Sequence, residues 1–237
     1  MSVLETIEDL QNEFDNIKAI KDYSVHLEFL KKLKESDDKK HLDFHYELLK
    51  ERAINEELFQ LMRRNFTNRG PVAEDYLLER ITKEADTVLQ GDILQMLGRM
   101  KYYGGKRLDE TAEWARLFLK SDIDSLRCRA IWVLGWLGTT DDIDLLSQNL
   151  FNDISNENRG WAATAFMQIF FSNEATVKKS FNYLRRALRR ETDYFTLEMI
   201  LVSIQEIMGK KLGLSSSSRE RAPKEKVDRA LKKALKL

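Results

Sequence analysis

Residues 122–138 read DIDSLRCRAIWVLGWLG. Asp122-Ile-Asp124 is a short polar turn. An apolar helix follows and ends at a Leu-Gly-x-Leu-Gly step, Leu134 to Gly138. Two tryptophans, Trp132 and Trp136, lie four apart on this helix and so share one of its faces.

The pattern repeats on both sides. Thirty-two residues further on, the segment from Asn158 reads NRGWAATAFMQIF. Arg127 then falls on Arg159, Ala130 on Ala162, Val133 on Ala165, Leu134 on Phe166 and Leu137 on Ile169. Thirty-seven residues back, the segment from Leu89 reads LQGDILQMLGRMK, with Ile93, Met96, Leu97, Gly98 and Met100 at matching apolar or small positions. Another helix precedes each of the three, at about 73–84, 108–120 and 142–151, and a more degraded pair follows at about 174–190 and 193–209. Helical hairpins at this period predict an α-solenoid, because one hairpin cannot hide its apolar stripe alone and stacked hairpins share a core. Ala130, Ala162, Gly98 and Gly135 would let the helices approach closely.

The run D-x-D-x-L-R-x-x-A-x-x-x-L-G-x-L-G over 122–138 resembles the HEAT repeat, and Thr139-Thr-Asp-Asp142 resembles the turn into the next unit. The match is best over 122–170. The expected fold is therefore an all-α, HEAT-like α-solenoid of stacked antiparallel helix pairs. Residues 1–70 would form an N-terminal helical region of divergent repeats or a cap, 71–212 the repeats, and 213–237 a Ser-rich linker with a basic amphipathic helix. The resemblance further implies that Arg127 and Arg159 are structural, each pairing with a turn aspartate of a neighbouring repeat.

The front region reads as three or four amphipathic helices. Val3, Ile7, Leu10, Phe14 and Ile17 form one stripe. Val25, Phe29, Leu30 and Leu33 form a second, Leu42, Tyr46 and Leu49 a third, and Leu58, Leu61, Met62 and Phe66 a fourth. Glu35 to Lys39 is a polar break, and Gly70-Pro71 is a helix stop followed by a helix start. The segment after Leu212 reads GLSSSSRERA, a flexible linker whose helical extension is expected to be dispensable for folding.

Composition narrows the function classes. The 237 residues carry 39 Lys/Arg and 39 Asp/Glu, and the balance is uneven. Residues 1–60 hold fifteen acids against nine bases, whereas 210–237 hold ten bases against three acids. A neutral total argues against a dedicated nucleic-acid coat. The single cysteine, Cys128, excludes an internal disulfide and fits a reducing compartment. No stretch reaches the length of a membrane span and the start lacks a signal-peptide layout, so a cytoplasmic protein is expected.

The chemistry-bearing motifs are few. His41 and His45 have the spacing of two metal ligands on one helix, but no glutamate base between them and no third ligand nearby, so they read as ordinary histidines. Arg185-Arg186-Ala-Leu-Arg189-Arg190 reads as a solvated helix end that complements the helix dipole. Cys128 lacks a histidine partner. No catalytic motif, metal site or cofactor loop is identified.

In the HEAT pattern the positions of Trp132 and Trp136 are normally polar and line the concave surface. The same rows carry Arg129, then Trp161, Thr164 and Gln168, and in the preceding unit Asp92, Gln95 and Arg99. Aromatics with arginines are the composition of an interface anchor. Either these rings face a partner or neighbouring segments cover them as core. The resemblance implies a non-catalytic protein-binding solenoid, most concretely a bacterial immunity-type protein that sequesters a toxin, with the acidic front half meeting a basic partner. The alternative it implies is a HEAT-like alkylpurine DNA glycosylase, or another DNA-binding protein, using the same groove.

Overall fold

The computed structural model describes residues 6–51, 54–216 and 220–237, and the described residues are helical with no strand. Val3 and part of the serine-rich stretch, Ser217, Ser218 and Arg219, lie outside the described residues. The chain divides into two compact units, Met1–Leu108 and Asp109–Leu237.

The first unit contains α1 (Ile7–Ile17), α2 (Tyr23–Leu33), α3 (Lys39–Leu48), α4 (Glu56–Thr67), α5 (Pro71–Ile81) and α6 (Thr87–Arg99). Most of the anticipated stripe residues are buried, Leu10, Phe14 and Ile17 on α1 and Leu58, Leu61, Met62 and Phe66 on α4, whereas Ile7 and Val25 are half-buried. Polar caps set the starts. Thr6 and Asp9 form a reciprocal capping box on α1, and Asp22, Asp38, Asn55 and Asp86 accept first-turn N–H groups of α2, α3, α4 and α6. Gly70 adopts φ 61° and Pro71 opens α5. Packing alternates along the chain, α2 against α4 and α4 against α6, with α1 against α3. That is the neighbour pattern of stacked helix pairs, and it extends through residues before 70.

Buried polar side chains tie this unit together. Arg69 donates to the carbonyls of Leu33 and Ser36 at 2.5 and 2.6 Å, closing the C-terminal end of α2. Glu74, 1% exposed, accepts the backbone N–H groups of Lys106 and Arg107 at 2.7 and 3.0 Å. Gly105 is required beside it, since a Cβ there would lie 2.7 Å from Glu74 Oε1 and 2.6 Å from Met100 Cβ.

The second unit contains α7 (Leu108–Phe118), α8 (Asp124–Leu137), α9 (Asp142–Asn152), α10 (Asn156–Ser172), α11 (Val177–Leu188), α12 (Tyr194–Met208) and α13 (Lys224–Ala234). Here α8 packs on α10 and α10 on α12, while α9 packs on α11. These are two rows of a solenoid, and Ala130, Ala162, Ala163 and Ala165 are buried where the first row is closest. A Cβ on Gly135 would lie 3.2 Å from Ala165 Cα and 2.1 Å from Gln168 Oε1, so α8 and α10 meet at a glycine.

The C-terminal segment departs from a free tail. Leu212 and Leu214 are buried, and Gln205 Oε1 accepts the N–H groups of Leu212, Gly213 and Leu214 at 3.0, 3.1 and 3.3 Å. Then α13 lays Val227, Ala230 and Ala234 against α12. Tyr194 donates to Asp228 at 2.9 Å. Of its basic residues, Lys224 lies over the Tyr194 ring at 4.7 Å and Lys233 donates to the Leu212 carbonyl at 3.2 Å; composition alone shows none of these contacts, which is why it read as a detachable appendage.

Candidate functional site

Along the α8–α10–α12 row, the face not used for packing is lined by half-buried aromatics. Trp132 and Trp161 meet edge to face, with ring centroids 5.4 Å apart and planes at 80°. The Arg129 guanidinium stacks on the Trp132 ring at 4.7 Å. The 32-residue offset places Arg129 on α8 in register with Trp161 on α10 and Trp132 with Thr164, so the three form one patch. Such contacts hold large rings in one rotamer, and a partner then binds them at little further entropic cost. The Trp132 indole N–H is covered and has no acceptor among the described residues.

Trp136 is half-buried one turn further along α8, and Gln168 crosses from α10 over Gly135. The face continues onto α12. Trp161, Thr164, Met167, Phe195, Glu198, Met199 and Val202 line a groove of about 370 Å³ together with Ser215, Ser216, Glu220 and Arg221 of the C-terminal segment. Arg221 stacks over Phe195 at 4.5 Å. Met167, Phe195 and Met199 were not anticipated. A helical wheel shows them only as apolar residues at core-like spacing, and their half-exposure follows from the placing of α12. Trp114 is half-buried beside Phe118 at 5.7 Å.

Asp92, Gln95 and Arg99 all stand on α6, in the first unit. Asp92 is 3% exposed and lies 3.4 Å from Arg63 of α4. Arg63 Nη2 also donates to Gln95 Oε1 at 2.6 Å. Gln95 and Arg99 line a small notch together with Gln60, Arg63, Arg64 and Thr67. Asp92 thus backs the notch as a buried counter-charge, while Gln95 is half-buried and Arg99 exposed.

Arg127 and Arg159 belong to the frame. Arg127 grips Asp153 with Nε and Nη2 at 2.9 and 2.8 Å, and Arg159 grips Glu191 at 2.7 and 3.1 Å. Each carboxylate lies in the turn before the inner helix of the next pair, the relation that the repeat resemblance implied, with a glutamate in the second instance. Arg116 holds Asp142 in the same two-pronged way at 2.7 and 3.0 Å.

The remaining titratable groups have packing roles. His45 is fully buried with Nε2 at 3.0 Å from the Met62 carbonyl, and burial together with the nearby Arg69 charge depresses its pKa to about 3. His41 sits against Asp38 at 2.9 Å. No cluster of three metal-ligating side chains occurs among the described residues. Burial raises the Cys128 thiol to about 11, against the lowering effect of Arg129, which leaves it protonated at neutral pH. Among the described residues, no helix is long and apolar enough to cross a membrane.

Residues 74–167 match the family model for HEAT repeats. A search of curated proteins finds no match.

Proposed function

From the HEAT repeats of residues 74–167 we infer that this chain is a non-catalytic, protein-binding solenoid that docks its partner on the aromatic face of α8, α10 and α12. The observation that carries this is the Trp132–Trp161 pair with Arg129 stacked upon it. Tryptophan and arginine are among the residues most enriched at binding hot spots, and here they are half-buried and held in contact with one another. Arg129, Trp132, Trp136, Trp161 and Gln168 are assigned to this contact, with Met167, Phe195 and Met199 extending it. Repeats of this kind commonly mediate protein interactions.

The most concrete form of the proposal is an immunity-type protein that sequesters a toxin. Its support is the acidic surplus of residues 1–60, which would speed association with a basic partner. A glycosylase would need a carboxylate open to a bound duplex. Asp92, the sequence candidate, is buried beside Arg63, and this favours the protein-binding proposal.

The test is affinity capture with the wild-type chain and with Trp132→Ala, followed by a titration of the recovered partner. A partner held equally by both chains would remove the aromatic face from the interface. Binding of a DNA duplex with a steep salt dependence, in place of a protein, would favour the DNA alternative.

A further inference from the structure

We propose that the notch between α4 and α6 is an oxyanion-binding site, taking a single phosphate or carboxylate group. Arg63, Arg64 and Arg99 line it, with the amide side chains of Gln60 and Gln95. The proposal stands apart from the aromatic face, because every one of these residues lies in the first unit.

Three features distinguish the notch from an ordinary charged surface. It is small, about 50 Å³, the scale of one oxyanion rather than of a drug-sized ligand. Its floor is prearranged: Arg63 is held by Gln95 Oε1 at 2.6 Å and faces Asp92 at 3.4 Å, so one guanidinium is fixed before any ligand arrives. Its walls are not neutralised. Neither Arg64 nor Arg99 forms an ion pair among the described residues, and both are exposed. The lining therefore carries three positive charges against the one negative charge of Asp92 behind it.

Phosphate and carboxylate share the chemistry that fits. Both accept parallel N–H donors from guanidinium groups, and charge-assisted bonds of this type are about twice as strong as neutral ones. The Gln60 amide is already committed to Glu56 at 2.8 Å, so selectivity rests on the arginines. Four arginines near the end of α11 provide an internal comparison. Arg186 and Arg190 there lie over Phe151 at 5.1 and 5.5 Å.

The experiment follows the arginine side-chain Nε–Hε resonances of the full chain by NMR. The probes are inorganic phosphate, acetate, and sodium chloride at matched ionic strength. Saturable shifts at Arg63, Arg64 and Arg99 with phosphate or acetate, absent with chloride, are expected. A response to phosphate alone assigns a phosphate group, and a response to acetate alone assigns a carboxylate. Arg64→Gln and Arg99→Gln should each weaken binding about tenfold, the value of one charge-assisted hydrogen bond. Circular dichroism checks that each variant is folded, and two single variants keep the test open if one is not. Shifts that never saturate, that persist unchanged in both variants, or that match in strength at Arg186 and Arg190 would overturn the proposal.

Discussion

Asp153 is held from two directions: its carboxylate accepts Arg127 at 2.9 and 2.8 Å, and its backbone carbonyl accepts Arg159 Nη1 at 3.0 Å. Arg159 in turn grips Glu191. The links run from the start of α8 through the α9–α10 turn to the α11–α12 turn, so ion pairs and packed helices share one register. Arg127 also donates to the carbonyls of Ser121 and Asp122 at 3.0 and 3.1 Å, which binds the turn before α8 to the same network.

Arg127→Ala is expected to destabilise the chain by about 3 kcal/mol, because it strands a buried carboxylate with no cationic partner. Urea unfolding measures this. A loss below about 1 kcal/mol, the scale of an exposed pair, would show that the link does not hold adjacent repeats together.

Acid should weaken the fold in two stages. His45 is held neutral with a pKa of about 3, well below the ordinary imidazole value, so the unfolded chain takes up its proton first. The stabilising contribution is complete above about pH 6.5 and falls as pH drops towards 3, by about 2 kcal/mol between pH 6.5 and 5. A His45→Gln variant should flatten that slope, and an unchanged slope would place its origin elsewhere. The second stage belongs to Asp153 and Asp142. Burial pushes both carboxyls up, but the Arg127 and Arg116 guanidiniums and backbone N–H groups outweigh it and the net shift is downward. Their contribution is full above the usual carboxylate range of about 4 and is lost only below it.

Glu74→Ala should cost about 2 kcal/mol, since the N–H groups of Lys106 and Arg107 lose their acceptor. Gly105→Ala should destabilise through the same locus, by driving a methyl group into Glu74 and Met100. Calorimetry of both variants is the check. A Gly105→Ala protein as stable as wild type would show that the turn can shift without cost.

Removing residues 224–237 is expected to lower the Tm, contrary to what the linker-like composition suggests, because Val227 is 1% exposed against α12. Val227→Ala alone should cost about 1.5 kcal/mol. An unchanged Tm in both proteins would mean that α13 docks without stabilising the row.

Trp132→Ala should leave far-UV circular dichroism intact and weaken partner binding by about 2 kcal/mol or more. The ring is half-buried, meets Trp161 edge to face and carries the Arg129 guanidinium on its face. Unfolding of this variant would reassign the ring to the frame.

Much of the frame was legible in the residues themselves. Period and stripe located the helices, Gly70-Pro71 marked a start, and the resemblance to the HEAT repeat implied that Arg127 and Arg159 are structural. These are local properties, set by a 3.6-residue turn and by which backbone groups lack partners at helix ends. The tertiary structure alone decided what depends on residues some 30 positions apart: that Asp92 is buried behind Arg63 while Arg99 stays exposed, that Glu74 closes a distant turn, that α13 docks, and that Trp132 meets Trp161. A side chain's exposure is fixed by the neighbouring helix that covers it or leaves it open. Spacing along one helix contains no information about that neighbour.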